Sequence, residues 1–258
     1  MFDLTAFLYG LGGILAAAFI FWALSVLKRD VSIVDSLWSL LFFIAAGVYL
    51  GTAPAPGLTS ILVLIMVGLW ALRLAAYITW RNWGEEEDRR YQHIRERNQP
   101  GFAYKSLYLV FGLQGVLAWI ISLPLLAAIH ANAPLDWLGY LGILVWLVGM
   151  AFEAGGDWQL ARFKADPDNR GKVLDSGLWR YTRHPNYFGE FVLWWGVWLM
   201  AAGGGAWWTF FGPALLTLFL LKVSGVALTE KDIAGRRPEY QAYIRRTSAF
   251  FPAPPRPD

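Results

Sequence analysis

Five ionisable side chains stand inside otherwise apolar runs of this chain: Asp35, Arg73, Glu153, Asp157 and Lys222. An ionisable group in hydrocarbon costs about 2.5–3.5 kcal/mol on insertion scales and marks function by default. The ordinary alternative is a side chain close enough to the run's end to snorkel. Arg73 lies about eight residues from the end of its run, roughly 12 Å at the helical rise, which is a long reach. Glu153 and Asp157 are spaced i, i+4 and share one helical face. Two like charges there need something cationic or hydrogen-bonding against them, and a ribose diol or a loop arginine would serve. Asp35 lies one turn into its run, with Trp38 on nearly the same face. Lys222 reaches either a carboxylate or a backbone carbonyl.

Three polar segments carry further candidates. The densest runs from Arg162 to Lys172 and on through Tyr181-Thr182-Arg183-His184-Pro185-Asn186-Tyr187-Phe188-Gly189-Glu190. Its Asp166–Gly171 stretch reads as a solvated turn. The part from Arg183 to Glu190 does not: it is aromatic, holds one of only three histidines and runs straight into an apolar helix. A helix amino terminus flanked by Arg, His and Asn donors is an anion site, and Tyr181, Tyr187 and Trp194 offer rings to a flat ligand. A phosphate-bearing cofactor with planar heterocycles satisfies both features; S-adenosylmethionine does so in part. In the Arg81–Lys105 segment, Glu85–Asp88 reads as a solvated helix start, which leaves Arg89, Arg90 and Tyr91 as the ligand candidates. In the tail, Tyr240, Tyr243 and Arg246 fall on one face of a short helix, either a ligand face or an amphipathic lid on headgroups.

The elements that must position these residues are membrane helices. The 258 residues are 57% apolar, 17% aromatic and only 16% charged, with a net charge of +3. A soluble domain carries about 25% charge. With no cysteine there is no disulfide, thiolate nucleophile, zinc finger or iron–sulfur cluster. Roughly 20 apolar residues cross the hydrocarbon, and seven runs come near that length: Leu4–Leu27, Val31–Leu50, Gly57–Trp80, Ser106–Ile129, Trp137–Leu160, Phe188–Ala202 and Ala206–Leu228. The sixth is short and has to begin inside the preceding loop. The first is too long for a signal peptide and lacks its basic flank. Of the 22 Lys and Arg, 20 fall in the first, third and fifth connections and the tail. Positive charge in short loops stays cytoplasmic, so the expected fold is all-α, with seven transmembrane helices, an outside amino terminus and a cytoplasmic tail. The chain then forms one integral-membrane domain. Residues 1–130 make its substrate side, and 131–258 its cofactor side. No inverted repeat is visible, and no Walker A, Gly-x-Gly-x-x-Gly or His-Glu-x-x-His motif is present. No metal site and no nucleic-acid partner are expected.

The Arg183–Glu190 segment, with Glu153, Asp157 and the ending Tyr240…Tyr243…Arg246…Pro252, resembles the membrane-embedded steroid 5α-reductases and their bacterial relatives, the DUF1295 group. More distantly it resembles the sterol Δ14-reductases and the isoprenylcysteine carboxyl methyltransferases. The Asp35…Trp38 pair and Arg73…Arg81 match the bacterial group more loosely. Glu190 favours the reductases, which carry an acid after the Gly where the methyltransferases carry an aromatic or apolar residue.

That resemblance implies NADPH-dependent reduction of the double bond of a 3-oxo-4-ene steroid or similar lipid enone. It implies a bacterial inner-membrane enzyme that takes NADPH from the cytosol and substrate from the bilayer, with membrane lipids around it and no obligatory protein partner. Carried over, Asn186 and Glu190 hold the nicotinamide carboxamide and Asp157 contacts a ribose or the adenosine. Lys164, Asn169, Arg170, Lys172 and Arg246 are phosphate candidates; Arg73, Arg90, Tyr91, Glu153, Tyr181, Arg183, His184, Tyr187, Trp194 and Tyr243 complete the cofactor set. The family polarises the ketone with a Glu and a Tyr on its second and third helices. This sequence departs from that pattern, offering Asp35 with Trp38 or Tyr77; only a protonated Asp35 could donate to the ketone. The competing expectations are an S-adenosylmethionine-dependent methyltransferase and a non-catalytic sterol-binding protein.

Overall fold

A computed structural model describes residues 2–256 except 132, 224, 227–229 and 231–238, and every regular element among the described residues is helical. In chain order these are α1 (Leu4–Lys28), α2 (Ile33–Thr52), α3 (Leu58–Arg81), α4 (Arg89–Arg97), α5 (Phe102–Ile121), α6 (Leu123–His130), α7 (Trp137–Ala165), α8 (Pro185–Gly203), α9 (Trp207–Val223) and α10 (Glu239–Arg246). Five of them, α1, α2, α3, α5 and α7, are long and apolar enough to cross a membrane, and α9 is a shorter apolar helix. Their outer faces carry bare hydrocarbon: Phe19, Ile20, Leu58, Leu72 and Leu144 are each more than half exposed. Water would not tolerate so much contiguous apolar surface.

Each expected run falls on a helix, with two differences. The fourth run is not one continuous helix, because α5 stops at Ile121 and α6 restarts at Leu123, with Pro124 in its first turn. Proline has no N–H to offer the preceding turn, so the ladder breaks there. The sixth helix begins at Pro185, inside the Arg183–Glu190 motif, as its short run requires. Residues 224 and 227–228 of the seventh run, and the tail's Lys231, Arg236 and Arg237, lie outside the described residues.

The chain divides into two compact units, Met1–Asp136 with Met200–Gly212, and Trp137–Leu199 with Pro213–Asp258. In the first, α1, α2 and α3 bury a core of Leu37, Leu41, Phe42, Ala45 and Trp70. Lipid tails are as apolar as leucine, so packing and interhelical hydrogen bonds must hold such helices together. Ser39 donates to the Ala71 carbonyl at 2.9 Å, and Ser60 to the Ile129 carbonyl at 2.7 Å. The Trp119 indole donates to the Phe7 carbonyl at 2.8 Å, and the Tyr49 and Ser122 hydroxyls pair at 2.8 Å. Asp88 caps α4 by accepting from the Arg90 amide at 2.9 Å. Glu87 is not solvated as the acidic run suggested. It accepts from the Val31 amide at 2.8 Å and from Arg95 at 2.7 Å, tying α4 to the start of α2.

In the second unit α7 and α8 run antiparallel with their backbones almost in contact. A Cβ on Gly196 would strike the Trp146 nitrogen and the Gly142 carbonyl; one on Gly189 would strike the Glu153 backbone and the Gly149 carbonyl. Gly142, Gly149 and Gly156 on α7, like Gly189 and Gly196 on α8, recur every seven residues. A seven-residue period keeps one face of each helix on the seam, and glycine lets the two backbones approach. This seam fixes the register of every polar group described next.

Candidate functional site

On α7 the seam face carries Glu153 and Asp157, both buried although ionisable. Opposite them α8 begins at Pro185, whose ring closes on Gly156. The Asn186 side chain donates to Asp157 Oδ1 at 3.2 Å, and its own Oδ1 accepts from the Tyr187 amide at 3.0 Å. One turn deeper, Glu190 is buried next to Gly189, the residue that lies against Glu153. Trp194, a further turn on, is also buried. Three carboxylates and an amide thus occupy one helical turn of each partner at the seam, beside an indole. Such a set of carboxylates suits a ligand rich in hydroxyl and amide N–H groups.

The residues just before α8 serve a different purpose. Arg183 is buried and gives Nε to Glu230 Oε1 at 2.7 Å and Nη2 to Oε2 at 3.0 Å, a bidentate pair. Its Nη1 donates to the carbonyls of Ile244 and Thr247. His184 Nε2 lies 3.1 Å from Glu230 Oε1, and its ring stacks on Tyr187 at 5.5 Å. Burial on its own raises the Glu230 carboxyl, yet the bonds from His184 and Arg183 prevail and hold it down at about 2. Arg183 and His184 therefore clamp the loop to the tail. The tail is not a headgroup lid: Tyr243 is buried and donates to the Trp179 carbonyl, and Phe250 and Phe251 pack edge-on against Phe188 and Phe191. Tyr240 is buried too, and burial with the nearby Glu230 charge pushes its phenol up to about 12. Arg246 reaches Asp175 at 3.3 Å, and the exposed Tyr181 accepts from the Ala253 amide through its carbonyl.

The outer loop is more loosely held. Asn169 bonds the Phe163 carbonyl at 3.2 Å and Asp166 at 3.3 Å, closing a short turn. Lys164, Arg170 and Lys172 are exposed around it.

In the first unit Asp35 accepts from Arg90 at 2.7 Å and from the Tyr91 hydroxyl at 2.5 Å. Gln114, just past the π-helical turn Leu107–Gly112 of α5, donates to the Tyr91 oxygen at 3.4 Å. Burial first, then the Asp35 charge, raises the Tyr91 phenol well above its ordinary value. Arg90 is drawn up by Asp35 against the effect of its own burial. Both carboxyl oxygens of Asp35 are thus engaged by donors. Trp38 turns its edge to Phe42 at 5.2 Å, and Tyr77 sits 5.8 Å from the Arg81 guanidinium. Arg73 is half-buried on α3, and Lys222 is exposed on the π-helical last turn of α9.

Sequence reasoning missed Glu87, Gln114, Asp175 and Glu230. Glu87 looked like any member of a four-acid run, and Gln114 like one polar residue in a span. Glu230 had a weak signal, being the first acid after the last apolar run.

Comparison with known proteins places a family on this geometry. Residues 21–247 match the family described as a protein of unknown function, DUF1295, and the chain belongs to that family. An uncharacterised protein of Schizosaccharomyces pombe is 26% identical over 90% of this chain and 76% of its own length. A steroid 5-alpha-reductase of Gossypium hirsutum, DET2, is 35% identical over 26% of this chain and 26% of its own. No solved structure matches the chain.

Proposed function

We propose that this DUF1295 protein is a membrane reductase that uses NADPH to reduce the carbon–carbon double bond of a 3-oxo-4-ene steroid or a related lipid enone. The observation that carries the reading is the Asn186–Asp157 bond between two apolar helices, with Glu153 and Glu190 buried within a turn of it. Ribose hydroxyls suit Asp157 and Glu153; a carboxamide NH2 suits Glu190, with the amide of Asn186 beside it. The partial likeness to a steroid 5-alpha-reductase supports the same class. When bound, NADPH supplies the hydride.

The chain's own residues do the rest. Reduction of an enone at its β-carbon builds negative charge on the ketone oxygen, and a preorganised donor in a dry site is worth about 2.7–4 kcal/mol there. Asp35 has both oxygens engaged, accepting from Arg90 and from the Tyr91 hydroxyl. The phenol beside it gives its single proton to Asp35, so Tyr91 takes the donor role by exchanging that bond for one to the ketone oxygen, in preference to Tyr77 or Trp38. Asp35 and Arg90 orient it, and Gln114 holds its oxygen. Seven spans with the amino terminus outside put the basic connections, α4 and the α7–α8 loop on the cytoplasmic side of a bacterial inner membrane.

The test is calorimetric titration of the detergent-solubilised protein with NADPH and, separately, S-adenosylmethionine, followed by NADPH oxidation with added enones. NADPH binding that falls about tenfold or more in Asn186→Ala and Glu190→Gln is the expected result, since hydrogen bonds to charged groups contribute about 1.5–3 kcal/mol. Binding of S-adenosylmethionine in its place would make the protein a methyltransferase. Retention of a sterol with neither cofactor would make it a binding protein.

A further inference from the structure

The face of α7 turned away from the seam carries a different pattern. Trp158 lies nine residues past Gly149, about two and a half turns, so the two stand on opposite sides of the helix. Tyr140, Leu144, Leu147 and Arg162 share the side of Trp158, and the first three, like Trp158 itself, are more than half exposed. Bare leucines between a tyrosine and a tryptophan describe a lipid-facing stripe with an aromatic group at each interface. From Tyr140 to Trp158 is 18 residues, about 27 Å at the helical rise and close to the ~30 Å thickness of hydrocarbon. Trp158 therefore sits at headgroup depth.

One turn beyond it Arg162 is exposed, and its guanidinium lies 5.6 Å from the Trp158 ring centroid, a cation–π contact. Among the described residues no carboxylate meets this arginine and no acceptor meets the Trp158 indole N–H. The acids of α7, Glu153 and Asp157, stand on the seam side. A guanidinium stacked on an aromatic face keeps its edge donors for a phosphate. Two unanswered donors at headgroup depth, with aliphatic surface running on towards Tyr140, call for an anionic phosphate that carries acyl chains. A soluble phosphate would gain nothing from Leu144 and Leu147, and the Asn186–Asp157 pair, where the nucleotide is proposed, lies on the opposite side of the helix.

We propose that Trp158 and Arg162 hold the phosphodiester of an anionic phospholipid, with its acyl chains along Leu144 and Leu147. The guanidinium offers paired N–H groups to the phosphate oxygens, and the indole N–H, a donor only, takes a further oxygen of the headgroup. The site is separate from the seam and stands whether or not a nucleotide binds there.

Native mass spectrometry of the full chain in detergent, titrated with phosphatidylglycerol or with phosphatidylcholine of the same acyl chains, reads the affinity of the first lipid retained. Detergent removes the bilayer's surface potential, which would draw every basic residue to anionic lipid. Wild type should hold phosphatidylglycerol about fivefold or more tighter than phosphatidylcholine, the scale of one basic side chain against an anionic headgroup. Arg162→Gln should lose that preference, and Trp158→Leu should lower it. Both side chains face outward, and an unchanged phosphatidylcholine affinity reports that the variants are folded. Arg97→Gln removes the same charge from the exposed end of α4 and should leave the preference intact. Equal preference in wild type and Arg162→Gln, or an equal loss in Arg97→Gln, would overturn the inference. So would displacement of the lipid by an equal concentration of glycerophosphoglycerol, the headgroup without its chains, which would make this a site for free phosphates.

Discussion

Replacing Glu230 by alanine separates a clamp from a cofactor ligand. Its carboxylate takes two bonds from Arg183 and one from His184. The Arg183 side chain is 8% exposed and that of Glu230 21%. Removing the acid strands a buried guanidinium, and breaking a buried ion pair in this way costs about 3–5 kcal/mol. Arg183 keeps the Ile244 and Thr247 carbonyls, so the lower figure applies. At 2–4 °C per kcal/mol for a chain of this size, about 3 kcal/mol lowers the melting temperature by roughly 6–12 °C. Arg183→Met should fall as far, because it uncovers both carbonyls as well as the acid. The double variant should be far less destabilised than the two losses added, since each single change strands the other's partner. Thermal unfolding of the four proteins in one detergent gives the cycle. The pH dependence has a definite sign. A carboxyl held at about 2 against an ordinary 4.5 contributes stability above 4.5 and loses it as pH falls from there towards 2. The gap between wild type and Glu230→Ala should therefore close over that interval. If Glu230→Ala leaves the melting temperature unchanged while Arg183→Met abolishes nucleotide binding, Arg183 is a ligand and the clamp is wrong.

Gly189→Val should lower the melting temperature by several degrees, because its Cβ falls on the Glu153 backbone and overpacking costs about 1–3 kcal/mol; NADPH affinity should drop with it. Tyr91→Phe should abolish enone reduction while leaving NADPH affinity within about twofold, measured by turnover and titration of one preparation, since Arg90 still holds Asp35. The Tyr240 phenol stands at about 12 against an ordinary 10.0. A raised acid contributes stability below its ordinary value and loses it as pH climbs through the folded one. Alkaline melting curves should fall between pH 10 and 12, and Tyr240→Phe should make that fall shallower without removing it, since the raised Tyr91 and Tyr243 phenols still contribute.

Much of the architecture was legible because hydrocarbon is an exacting solvent. Long uncharged runs such as Leu4–Leu27 have few options other than a helix, and the observed α1 begins at the same residue. The i, i+4 spacing of Glu153 and Asp157 located the acidic face of α7, and a lone His-Pro-Asn before an apolar run marked where α8 starts. Less legible was which polar residue each charge would meet. Arg90 and Tyr91 read as ligand groups, yet they lie on Asp35, some 55 residues earlier in the chain. Arg183 and His184 read as an anion site, yet they hold Glu230. Charge type and local spacing are the same for a ligand contact and a tertiary one.

Composition and periodicity alone determined that this chain is helical, membrane-embedded and burdened with buried acids, because those properties depend on transfer free energies that each segment carries by itself. The partners of those acids belong to the tertiary structure. Only the glycine-lined contact of α7 with α8 sets Asn186 against Asp157 and aligns Trp146 with Glu153, because a hydrogen bond needs its two atoms within about 3 Å, and no spacing along one chain encodes a distance between two helices.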